Sequence, residues 1–396
     1  MHVLISGAGT AGLSLAYWLK RCGFMPTIVE SSSTLRMGGY KIDVRGEALT
    51  ILHRAGIYDA VVAANTDMQA ANLVDKCGKV LHQMSGDQFG HRVGDDQEIM
   101  RGTLNQILLD QIPEVEIIYG DAIKSITQTT QSVQVEFKNS PPRSFDLLIG
   151  ADGLHSNVRK LVFGDERNFS RDYDIYLCVY SMPNYLNLDR VEMQYTELGR
   201  AASIWCSRND QTAKACFAFV SSEKIEPRDK VKQQQFVKNK FGDLGGEFPA
   251  ILNNISETDD FYFDACTQIH MDSWSSGRVV LLGDAAYCAS PMSGQGTSLA
   301  LVGAYVLAGE LTIAKDDYVA AYVEYEKIMR PYVDINQALG IRAAKLFNSQ
   351  KQNKLLGWLI KKLMVILPGY IIEFFIHGAT KRIHKAANSI VLKRYW

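Results

Sequence analysis

The stretch HVLISGAGTAGLSLAYWLKRCGFMPTIVE, residues 2–30, decides the fold of this chain. Residues 3–5 are a short apolar run of the kind that forms a buried parallel strand, and a glycine-rich segment follows without a gap. Residues 14–21 have the pattern of a helix, and residues 27–29 form a second apolar run before Glu30. A strand, a glycine turn, a helix and a strand within about thirty residues predict a βαβ unit.

The six residues GAGTAG carry the chemistry of that unit. Gly7 permits the tight turn, Gly9 lets a pyrophosphate approach the backbone, and Gly12 lets the helix pack on the strand. The free N–H groups at the start of the helix favour a phosphate. Glu30, at the end of the second strand, can accept hydrogen bonds from an adenosine ribose. The unit predicts a dinucleotide site but does not separate FAD from NAD.

Two later stretches repeat the pattern of a strand that ends in an aspartate. They are FDLLIGADGLHSNVRK (145–160), with Asp152, and WSSGRVVLLGDAAYCASPMSGQG (274–296), with Asp284. Both aspartates follow a strand at its carboxyl end, the edge at which open α/β sheets bind ligands. Neither pattern is needed to bind NAD.

In this order and spacing the three stretches resemble the class A flavin-dependent monooxygenases, the para-hydroxybenzoate hydroxylase-like fold, over about residues 1–340. The resemblance implies an α/β (α+β two-domain) fold with a Rossmann-like FAD-binding domain, an antiparallel β-sheet substrate domain and C-terminal helices. The predicted division gives the FAD-binding domain residues 1–65, 99–172 and 267–340, the substrate-binding β-sheet domain residues 66–98 and 173–266, and a basic, amphipathic helical segment residues 341–396.

Shorter segments are similar to one branch of that family, the tetracycline-inactivating flavin monooxygenases known as tetracycline destructases. They are GGYKIDVRG (38–46), DDFYFDACTQIHMDSW (259–274), AYCASPMSGQG (286–296) and VGAYVLAGEL (302–311). One departure is Ser298, where many relatives have asparagine.

The resemblance implies a set of cofactor contacts. Those implied for FAD or NAD(P)H are Gly7, Gly9, Thr10, Ala11, Gly12, Glu30, Arg36, Asp43, Arg45, Arg101, Asp152, Asp284, Pro291, Gly294, Gln295 and Gly296. Arg101 is implied to contact the flavin, and Asp152 to support both FAD and the docking of NAD(P)H. Asp284 is implied to bind the ribitol chain, and the loop 291–296 to wrap the isoalloxazine ring.

The predicted substrate pocket lies on a sheet formed within residues 173–266, which a helix at about 229–241 interrupts. The candidate substrate contacts are Gln194, Trp205, Phe217 and Phe219. Strand alternation puts both phenylalanines on one side and Cys216 on the other. Gln194 resembles the substrate-recognising glutamine of the branch by its distance from Arg200. An aromatic residue on a strand is more often part of a core than of a pocket, so this alternative stays open.

No catalytic side chain is assigned, because the sequence has no Ser/His/Asp set, paired carboxylates or metal-ligand spacing that stands out. A flavin that carries the chemistry is consistent with this pattern. The implied cycle is reduction of FAD by NAD(P)H, reaction with O2, and oxygen transfer from a C4a-hydroperoxyflavin. Its expected substrate is a polycyclic or aromatic small molecule, with tetracycline-type antibiotics as the best guess. An FAD-dependent reductase of isoprenoid lipids and a flavin-bearing, non-redox binding or cyclisation scaffold remain as alternatives.

Composition restricts partners and compartment. A formal net charge of −1 gives no reason to expect a nucleic-acid partner. The seven cysteines are dispersed and form no CxxC pair, which favours free thiols in a reducing compartment over disulfides or zinc. The first strand begins within two residues of Met1, so no signal peptide is expected. These features predict a cytoplasmic protein.

The C-terminal segment 341–396 is basic, with eleven Lys or Arg residues against one acid, Glu373. Its longest uncharged run, residues 363–372, has only ten residues and contains a Pro-Gly pair, which is too short to span a membrane. Three roles are open: a helix packed back over the active site, a dimer interface, or peripheral contact with an anionic membrane.

Overall fold

The structure is a computed structural model. It describes residues 1–36, 38–197, 199–208, 210–225, 229–352 and 369–396, with side chains described except at 349–352 and 369–375. The strands are β1 His2–Ser6, β2 Met25–Glu30, β3 Lys41–Val44, β4 Ala70–Val74, β5 Val80–Ser85, β6 Gln97–Met100, β7 Glu116–Tyr119, β8 Ile123–Gln128, β9 Val133–Phe137, β10 Arg143–Phe145, β11 Leu147–Gly150, β12 Ser170–Pro183, β13 Val191–Glu197, β14 Arg200–Cys206, β15 Thr212–Val220, β16 Tyr262–Ile269, β17 Ser275–Ser276 and β18 Val279–Leu281.

The helices alternate with these strands along the chain. They are α1 Thr10–Arg21, α2 Glu47–Ala55, α3 Tyr58–Ala63, α4 Gly86–Gly90, α5 Arg101–Asp110, α6 Asn157–Val162, α7 Lys230–Phe241, α8 Phe248–Asn254, α9 Asp284–Tyr287, α10 Gly296–Ala314, α11 Tyr318–Gln352 and α12 Gly369–Ala387. The mixed architecture confirms the predicted fold class.

A six-stranded sheet in the order β17-β18-β11-β1-β2-β7 positions the nucleotide motifs. Its strands are parallel except for the short edge strand β17. The register pairs Ser6 with Gly150 and Gly150 with Leu281, so the ends of β1, β11 and β18 lie side by side. The three sequence motifs that follow these strands therefore meet at one edge of the sheet.

A second, seven-stranded sheet has the order β16-β12-β15-β14-β13-β4-β5. It is antiparallel, as predicted, except that β13 pairs with β4 in parallel. The parallel pair arises because the hairpin β4–β5 joins the edge of the sheet through β4. Helices α7 and α8 pack on one face of this sheet and form a core with it.

Two small sheets complete the described part of the chain, and the sequence analysis did not predict them. One joins β8, β9 and β10, and the other pairs β3 with β6. In the second, Lys41 lies opposite Met100 and Asp43 lies opposite Glu98. This short ladder places charged side chains between the two large sheets.

Helix α10 is the one described helix long and apolar enough to cross a membrane, with a mean hydropathy of 1.5 over its best window. It lies inside the protein, because 78% of that window is buried and its contacts include α1, α2 and α11. A buried helix of this kind is a core element.

The end of the chain packs on the outer side of α1 and α10. Lys393 Nζ lies 2.8 Å from Glu310 Oε1, and the Tyr395 hydroxyl donates to the same carboxylate at 2.7 Å. The Trp396 ring lies 5.2 Å from the Trp18 ring. Most of the uncharged run 363–372 lies outside the described residues, and the three roles predicted for the segment 341–396 stay predictions.

Candidate active site

One large cavity, about 730 Å³ in volume, lies between the carboxyl edge of the six-stranded sheet and one face of the seven-stranded sheet. Every cofactor contact implied by the resemblance, except Gly12 and Arg45, lines this cavity. The substrate candidate Trp205 lines it too. The motifs that follow β1, β11 and β18 therefore line the same cavity as one face of the second sheet.

The three glycines of GAGTAG have different surroundings. A Cβ on Gly7, whose φ is +106°, would lie 2.5 Å from the Ala151 carbonyl oxygen, and a Cβ on Gly12 would lie 2.0 Å from the Gly7 carbonyl oxygen. A Cβ on Gly9 would have no heavy atom within 4 Å. Gly7 and Gly12 are therefore required by the protein's own packing, whereas Gly9 keeps open a space that a ligand can fill.

Glu30 holds the glycine loop and faces the cavity. Its Oε2 accepts a hydrogen bond from the Ala8 N–H at 2.8 Å, and its Oε1 accepts one from the Ser32 N–H at 2.8 Å. The Arg36 guanidinium lies 4.0 Å from Glu30 Oε1 and is largely exposed. The carboxylate is thus fixed at the end of β2, within reach of a ligand that follows the loop.

The GD turn packs directly against the glycine-rich helix. Gly283 has φ +66°, and a Cβ there would lie 3.1 Å from the Ala11 Cβ. Asp284 follows as the first residue of α9, and its side chain lines the cavity. Enclosure raises the pKa of the Asp284 carboxyl above its usual range. An acid in this setting is suited to exchanging hydrogen bonds with hydroxyl groups of a ligand.

The loop after Asp284 contributes a buried side-chain amide, which has no hydrogen-bond partner among the residues that the structure describes. Gln295 is fully buried and lines the cavity, and neither its Oε1 nor its Nε2 has a hydrogen-bond partner among the described residues. Helix α10 begins at the next residue, Gly296, and Pro291 and Gly294 also line the cavity. An unpaired buried amide is costly, so this position fits a polar ligand such as a flavin ring.

Two helices begin at this cavity. The first turns of α1 and α10 both contribute lining residues, among them Thr10, Ala11, Gly296 and Thr297. Helix N-termini carry free N–H groups and partial positive charge, which favour anionic and carbonyl oxygens. The open space at Gly9, the unpartnered Gln295 amide and these two termini together fit FAD.

Asp152 lines the cavity, but its carboxylate already accepts hydrogen bonds from three groups of the protein. It accepts hydrogen bonds from the Ser156 hydroxyl, from the Asn157 N–H at 2.8 Å and from the Val158 N–H at 3.1 Å. These bonds cap helix α6, while burial raises the pKa of the carboxyl. In this structure Asp152 therefore positions α6.

Arg159, seven residues after Asp152 in the same stretch, joins two of the sequence motifs. Its side chain is completely buried, with Nη1 donating to the Ala285 carbonyl at 2.9 Å. Nη2 donates to the Leu154 carbonyl and to Glu166 Oε2, each at 2.6 Å. The arginine thus fixes the start of α9, where Asp284 lies, against the loop that follows β11.

Arg101, at the start of α5, and Asp43, on β3, both line the cavity. The Arg101 guanidinium stacks over the Tyr40 ring, with its carbon 5.3 Å from the ring centre. Asp43 Oδ2 lies 2.8 Å from Arg45 Nη2, and burial raises the pKa of Asp43 to about 6. Arg45 lies behind Asp43 and does not line the cavity. In this structure Arg45 positions Asp43, and its direct contact with a cofactor stays a prediction.

The prediction that Phe217 and Phe219 line the substrate pocket is wrong. Both are almost completely buried on the face of β15 that packs against α7 and α8, where Phe217 lies 4.8 Å from the Phe241 ring. The opposite face of the strand, with Cys216 and Ala218, lines the cavity. The alternation of side chains along β15 was predicted correctly. The phenylalanines, however, lie on the face that packs against α7 and α8, and not on the face that lines the cavity.

Gln194 lies on the cavity side of its strand. It pairs with Ser203, and the next position of β13 on the same face is Glu192, which pairs with Trp205. Ser203, Glu192 and Trp205 all line the cavity, although Gln194 itself does not. The Gln194 Oε1 is buried without a hydrogen-bond partner among the described residues.

Several cavity residues were missed by sequence reasoning. They are Tyr40, Lys41, Asn105, His155, Leu177, Val179, Glu192, Ser203, Cys216, Ala218, Cys266 and Cys288. The alternation along β12 and β13 was the available signal for some of them, because it defines which side chains share a face. Ser298, which departs from the asparagine of relatives, is fully buried and is not a lining residue.

His155 connects the two large sheets at the cavity. Its Nδ1 lies 2.9 Å from Glu166 Oε1, and its Nε2 lies 3.0 Å from Asp264 Oδ2 on β16. Hydrogen bonds to Asp264 and Glu166 raise the pKa of His155 from its ordinary 6.5 to about 10. The imidazolium is therefore the stable form at neutral pH and ties β16 to the nucleotide-binding side.

This arrangement predicts a stability change between pH 6.5 and pH 10. Because the folded-state pKa of His155 lies above its unfolded value, its contribution is complete below about pH 6.5 and is lost as pH rises through about 10. The side chain is 63% exposed, so we expect only about 1 kcal/mol. Urea unfolding of wild type and His155→Gln across this range measures it. A difference between the two proteins that does not change with pH would contradict the assignment.

The described part of the C-terminal segment after residue 368 does not line the cavity. Helix α12 instead contacts the 86–96 region, where His384 Nε2 lies 3.1 Å from Asp96 Oδ2 and His91 Nδ1 lies 2.9 Å from the Thr380 hydroxyl. The described residues after 368 therefore do not cover the active site. Residues 353–368 lie outside the described chain.

Comparison with known proteins places this geometry among flavoproteins. The sequence profile of the FAD binding domain family matches residues 1–317. A flavin-dependent monooxygenase of Legionella longbeachae is 39% identical over 383 residues, which cover 93% of this chain and 98% of that protein. Another flavin-dependent monooxygenase, from an unknown prokaryotic organism, is 43% identical over 346 residues, which cover 87% of this chain and 90% of that protein.

Solved structures agree over the whole length. The crystal structure of tetracycline destructase Tet(51) superposes with a TM-score of 0.87 at 36% identity, covering 100% of this chain and 99% of that one. The crystal structure of tetracycline destructase Tet(55) has the same TM-score at 38% identity, covering 99% and 98% of the two chains.

Proposed function

The chain belongs to the FAD-binding-domain family and is an FAD-dependent monooxygenase, and we propose that it hydroxylates a polycyclic or aromatic small molecule, with tetracycline-type antibiotics as the first candidate substrates. FAD is its cofactor, and NAD(P)H is the co-substrate typical of this family. O2 is the proposed second co-substrate.

The observation that carries the proposal is the continuity of the cavity. The same space extends from the open position at Gly9 and the unpartnered amide of Gln295 to Trp205 on the second sheet. A ligand on that sheet would therefore lie in the same space as the cofactor. When bound, the flavin supplies the electron transfer and oxygen activation that protein side chains cannot provide.

The chain's own residues bind, orient and exclude water. The helix termini at Thr10 and Gly296 bind the anionic and carbonyl groups of the cofactor, and Asp284 orients its hydroxyl groups. Leu177, Val179 and other side chains of the second sheet form an apolar wall over the space that remains. Such a wall would exclude water from the space beside the cofactor. The proposed contribution of the protein is thus positioning and desolvation, without a side-chain acid or base.

The two alternatives differ from this proposal in what they require. A reductase of isoprenoid lipids would need no O2, and a binding or cyclisation scaffold would oxidise no nicotinamide. The relatives named as monooxygenases and the similarity to two tetracycline destructases over nearly the whole chain support the oxygen-dependent function. From the similarity to these enzymes we expect a cytoplasmic enzyme that acts on a small molecule. Peripheral membrane contact by residues 341–396 stays a prediction.

The test is oxygen-dependent turnover by purified, FAD-loaded protein. With NADPH and a tetracycline, we expect substrate-accelerated NADPH oxidation, O2 consumption, and a product heavier by one oxygen atom. The same mixture without O2 is the control and should give no oxygenated product. Turnover that is equally fast without O2 would favour the reductase. If no aromatic or polycyclic compound accelerates NADPH oxidation, the proposal is contradicted.

A further inference from the structure

The loop that precedes α10, residues 288–296, is held by two buried glutamines that lie outside it. Gln268, on β16, and Gln337, on α11, are 0% and 4% exposed. Neither lines the cavity, whereas most residues of the loop do. These two side chains, the glutamine pair, therefore act on the cavity only through the loop.

Gln268 joins the substrate sheet to the loop. Its Nε2 donates to the Ala289 carbonyl at 3.0 Å and to the Gln337 carbonyl at 2.8 Å. Its Oε1 accepts a hydrogen bond from the Tyr173 hydroxyl at 2.8 Å and lies 2.9 Å from His270 Nε2. Partners at both ends of the amide fix its orientation, and with it the Ala289 carbonyl.

Gln337 holds the preceding peptide of the loop. Its Nε2 donates to the Ile269 carbonyl at 2.7 Å and to the Cys288 carbonyl at 3.3 Å. The Ile269 N–H also donates to the Cys288 carbonyl, at 3.1 Å. Strand β16, helix α11 and the start of the loop therefore meet at one set of hydrogen bonds.

Helix α11 approaches the loop closely at this point. A Cβ on Gly340 would lie 2.5 Å from the Ala289 carbonyl oxygen and 2.9 Å from Gln268 Nε2. Further along the same helix, Ala344 belongs to an apolar cluster that also includes Met292 of the loop. The helix and the loop thus pack together on both sides of Ser290.

Ser290 itself has a strained backbone. Its φ is +69° and its ψ is +148°, a combination that is almost confined to glycine. The φ angle depends on the peptide plane that carries the Ala289 carbonyl, which Gln268 binds. The ψ angle depends on the Ser290 carbonyl, which accepts from the Ser293 N–H at 3.0 Å and from the Ser293 hydroxyl at 2.9 Å. Hydrogen bonds on both sides therefore impose a conformation that serine on its own would avoid.

The strained residue leads to the part of the loop that faces the cavity. The Ser293 hydroxyl accepts a hydrogen bond from the Gln295 N–H at 3.2 Å. Gln295 carries the buried amide that has no partner among the described residues and lines the cavity. Because a rotation at Ser290 redirects the residues that follow it, relaxation of the strain would move this amide relative to the rest of the cavity.

We infer that Gln268 and Gln337 are positioning residues for the cofactor. By holding the two carbonyls before Ser290, they keep this residue strained and the loop in the shape that receives the flavin. The inference deepens the proposed function, because it rests on the flavin lying at this loop. One glutamine comes from the substrate sheet and the other from α11, so the shape of the loop depends on how these two elements pack.

The test is titration of the apoprotein with FAD in Gln337→Met, which keeps the length of the side chain and removes its donor. Dissociation constants are read from the quenching of flavin fluorescence. We expect FAD affinity to fall about tenfold, the scale of one lost hydrogen bond. The absorption band of the bound flavin should shift as well, because the surroundings of the ring change. Gln268→Met should act in the same direction.

Asn336→Leu is the matched control. Asn336 is the neighbouring buried amide on α11, but it donates to the Tyr332 carbonyl at 2.8 Å and to the Ala386 carbonyl at 3.4 Å, away from the loop. The change should lower the melting temperature of the apoprotein, as Gln337→Met does, and leave FAD affinity unchanged. A loss of FAD affinity in Gln337→Met that is no larger than in Asn336→Leu overturns the inference.

Ser290→Gly tests the strain directly, because glycine adopts this φ and ψ at little cost. Added to Gln337→Met, it should recover most of the lost FAD affinity. In the otherwise unchanged protein it should raise the melting temperature of the apoprotein by about 1–3 °C. Absence of the recovery overturns the inference. A melting temperature that does not rise also overturns it, even if no glutamine variant folds.

Failure of the proposed cofactor position appears in a different variant. Gln295→Ala removes the amide that lines the cavity and should weaken FAD binding on its own. Unchanged affinity in Gln295→Ala would overturn both the proposed position of the flavin and the inference. Weaker binding in Gln295→Ala without an effect of Gln337→Met overturns the inference alone. Failure of the proposed activity is separate again, as absent oxygen-dependent turnover in wild type.

Discussion

Replacing Gly9 by alanine or valine is expected to remove the cofactor while leaving the fold intact. A Cβ at this position meets no heavy atom of the protein within 4 Å, and its backbone φ of −82° is allowed for any residue. The new methyl groups would enter the space beside the first turn of α1, which the cofactor must occupy. We expect FAD affinity to fall about tenfold to a hundredfold with alanine and more with valine, equivalent to about 1.4–2.8 kcal/mol for alanine.

The measurement is titration of the apoprotein with FAD, with thermal unfolding of the apoprotein alongside. Gly378→Ala is the matched control, because that glycine lies on α12, away from the cavity, and its added Cβ would come no closer than 3.8 Å to another group. Gly12→Ala gives the opposite behaviour: its Cβ would lie 2.0 Å from the Gly7 carbonyl oxygen, so the apoprotein itself should be destabilised. Unchanged FAD affinity in Gly9→Val would show that the cofactor does not follow this loop.

Replacing Arg159 by methionine is expected to cause a large loss of stability. The guanidinium is completely buried and donates to two backbone carbonyls and to Glu166. Methionine fills a similar volume but leaves the Ala285 and Leu154 carbonyls without this donor, and Glu166 keeps only His155 as a charged partner. A buried carbonyl that loses its donor costs about 1–3 kcal/mol, so the two carbonyls together predict a loss of about 2–6 kcal/mol, with a smaller part from Glu166, which is 32% exposed.

Loss of this arginine should also weaken FAD binding, because Ala285 follows Asp284 at the start of α9. Urea unfolding gives the stability change, and FAD titration at a temperature where the variant is folded gives the binding change. Arg167→Met is the control: its side chain is 86% exposed and pairs with Asp165 at the surface, so its effect on unfolding should be below about 0.5 kcal/mol. A similarly small effect for Arg159→Met would mean that water replaces its hydrogen bonds.

The turns and close backbone approaches of this protein could be predicted from its sequence. The glycines of GAGTAG, the Gly283-Asp284 turn and Gly294 fix tight turns and close approaches through their own conformations, with positive φ at Gly7, Gly283 and Gly294. These needs are written in adjacent residues, so the cofactor motifs and the carboxyl edge of the sheet could be predicted from order and spacing. The helix at Lys230–Phe241 was likewise predicted to within a residue, because Asp229 caps it.

The faces of the second sheet could not be assigned in the same way. Alternation along β15 separates Cys216 from Phe217, but both sides of the strand are apolar enough to be buried. Only the packing of α7 and α8 decides that the phenylalanines belong to the core and that Cys216 faces the cavity. The same limit applies to Arg159, whose basic side chain has the local pattern of an exposed helix residue.

The sequence by itself thus determined that this chain binds a dinucleotide of the FAD type at the end of a parallel sheet, because close-range backbone geometry demands particular residues at particular spacings. The tertiary structure alone decided what meets the cofactor across the cavity. Lys41 and Glu192 lie far apart in the chain and on different sheets, yet they are 2.7 Å apart. No local pattern specifies such a pair, since its energy depends on the low-dielectric space that two sheets enclose only after the chain has folded.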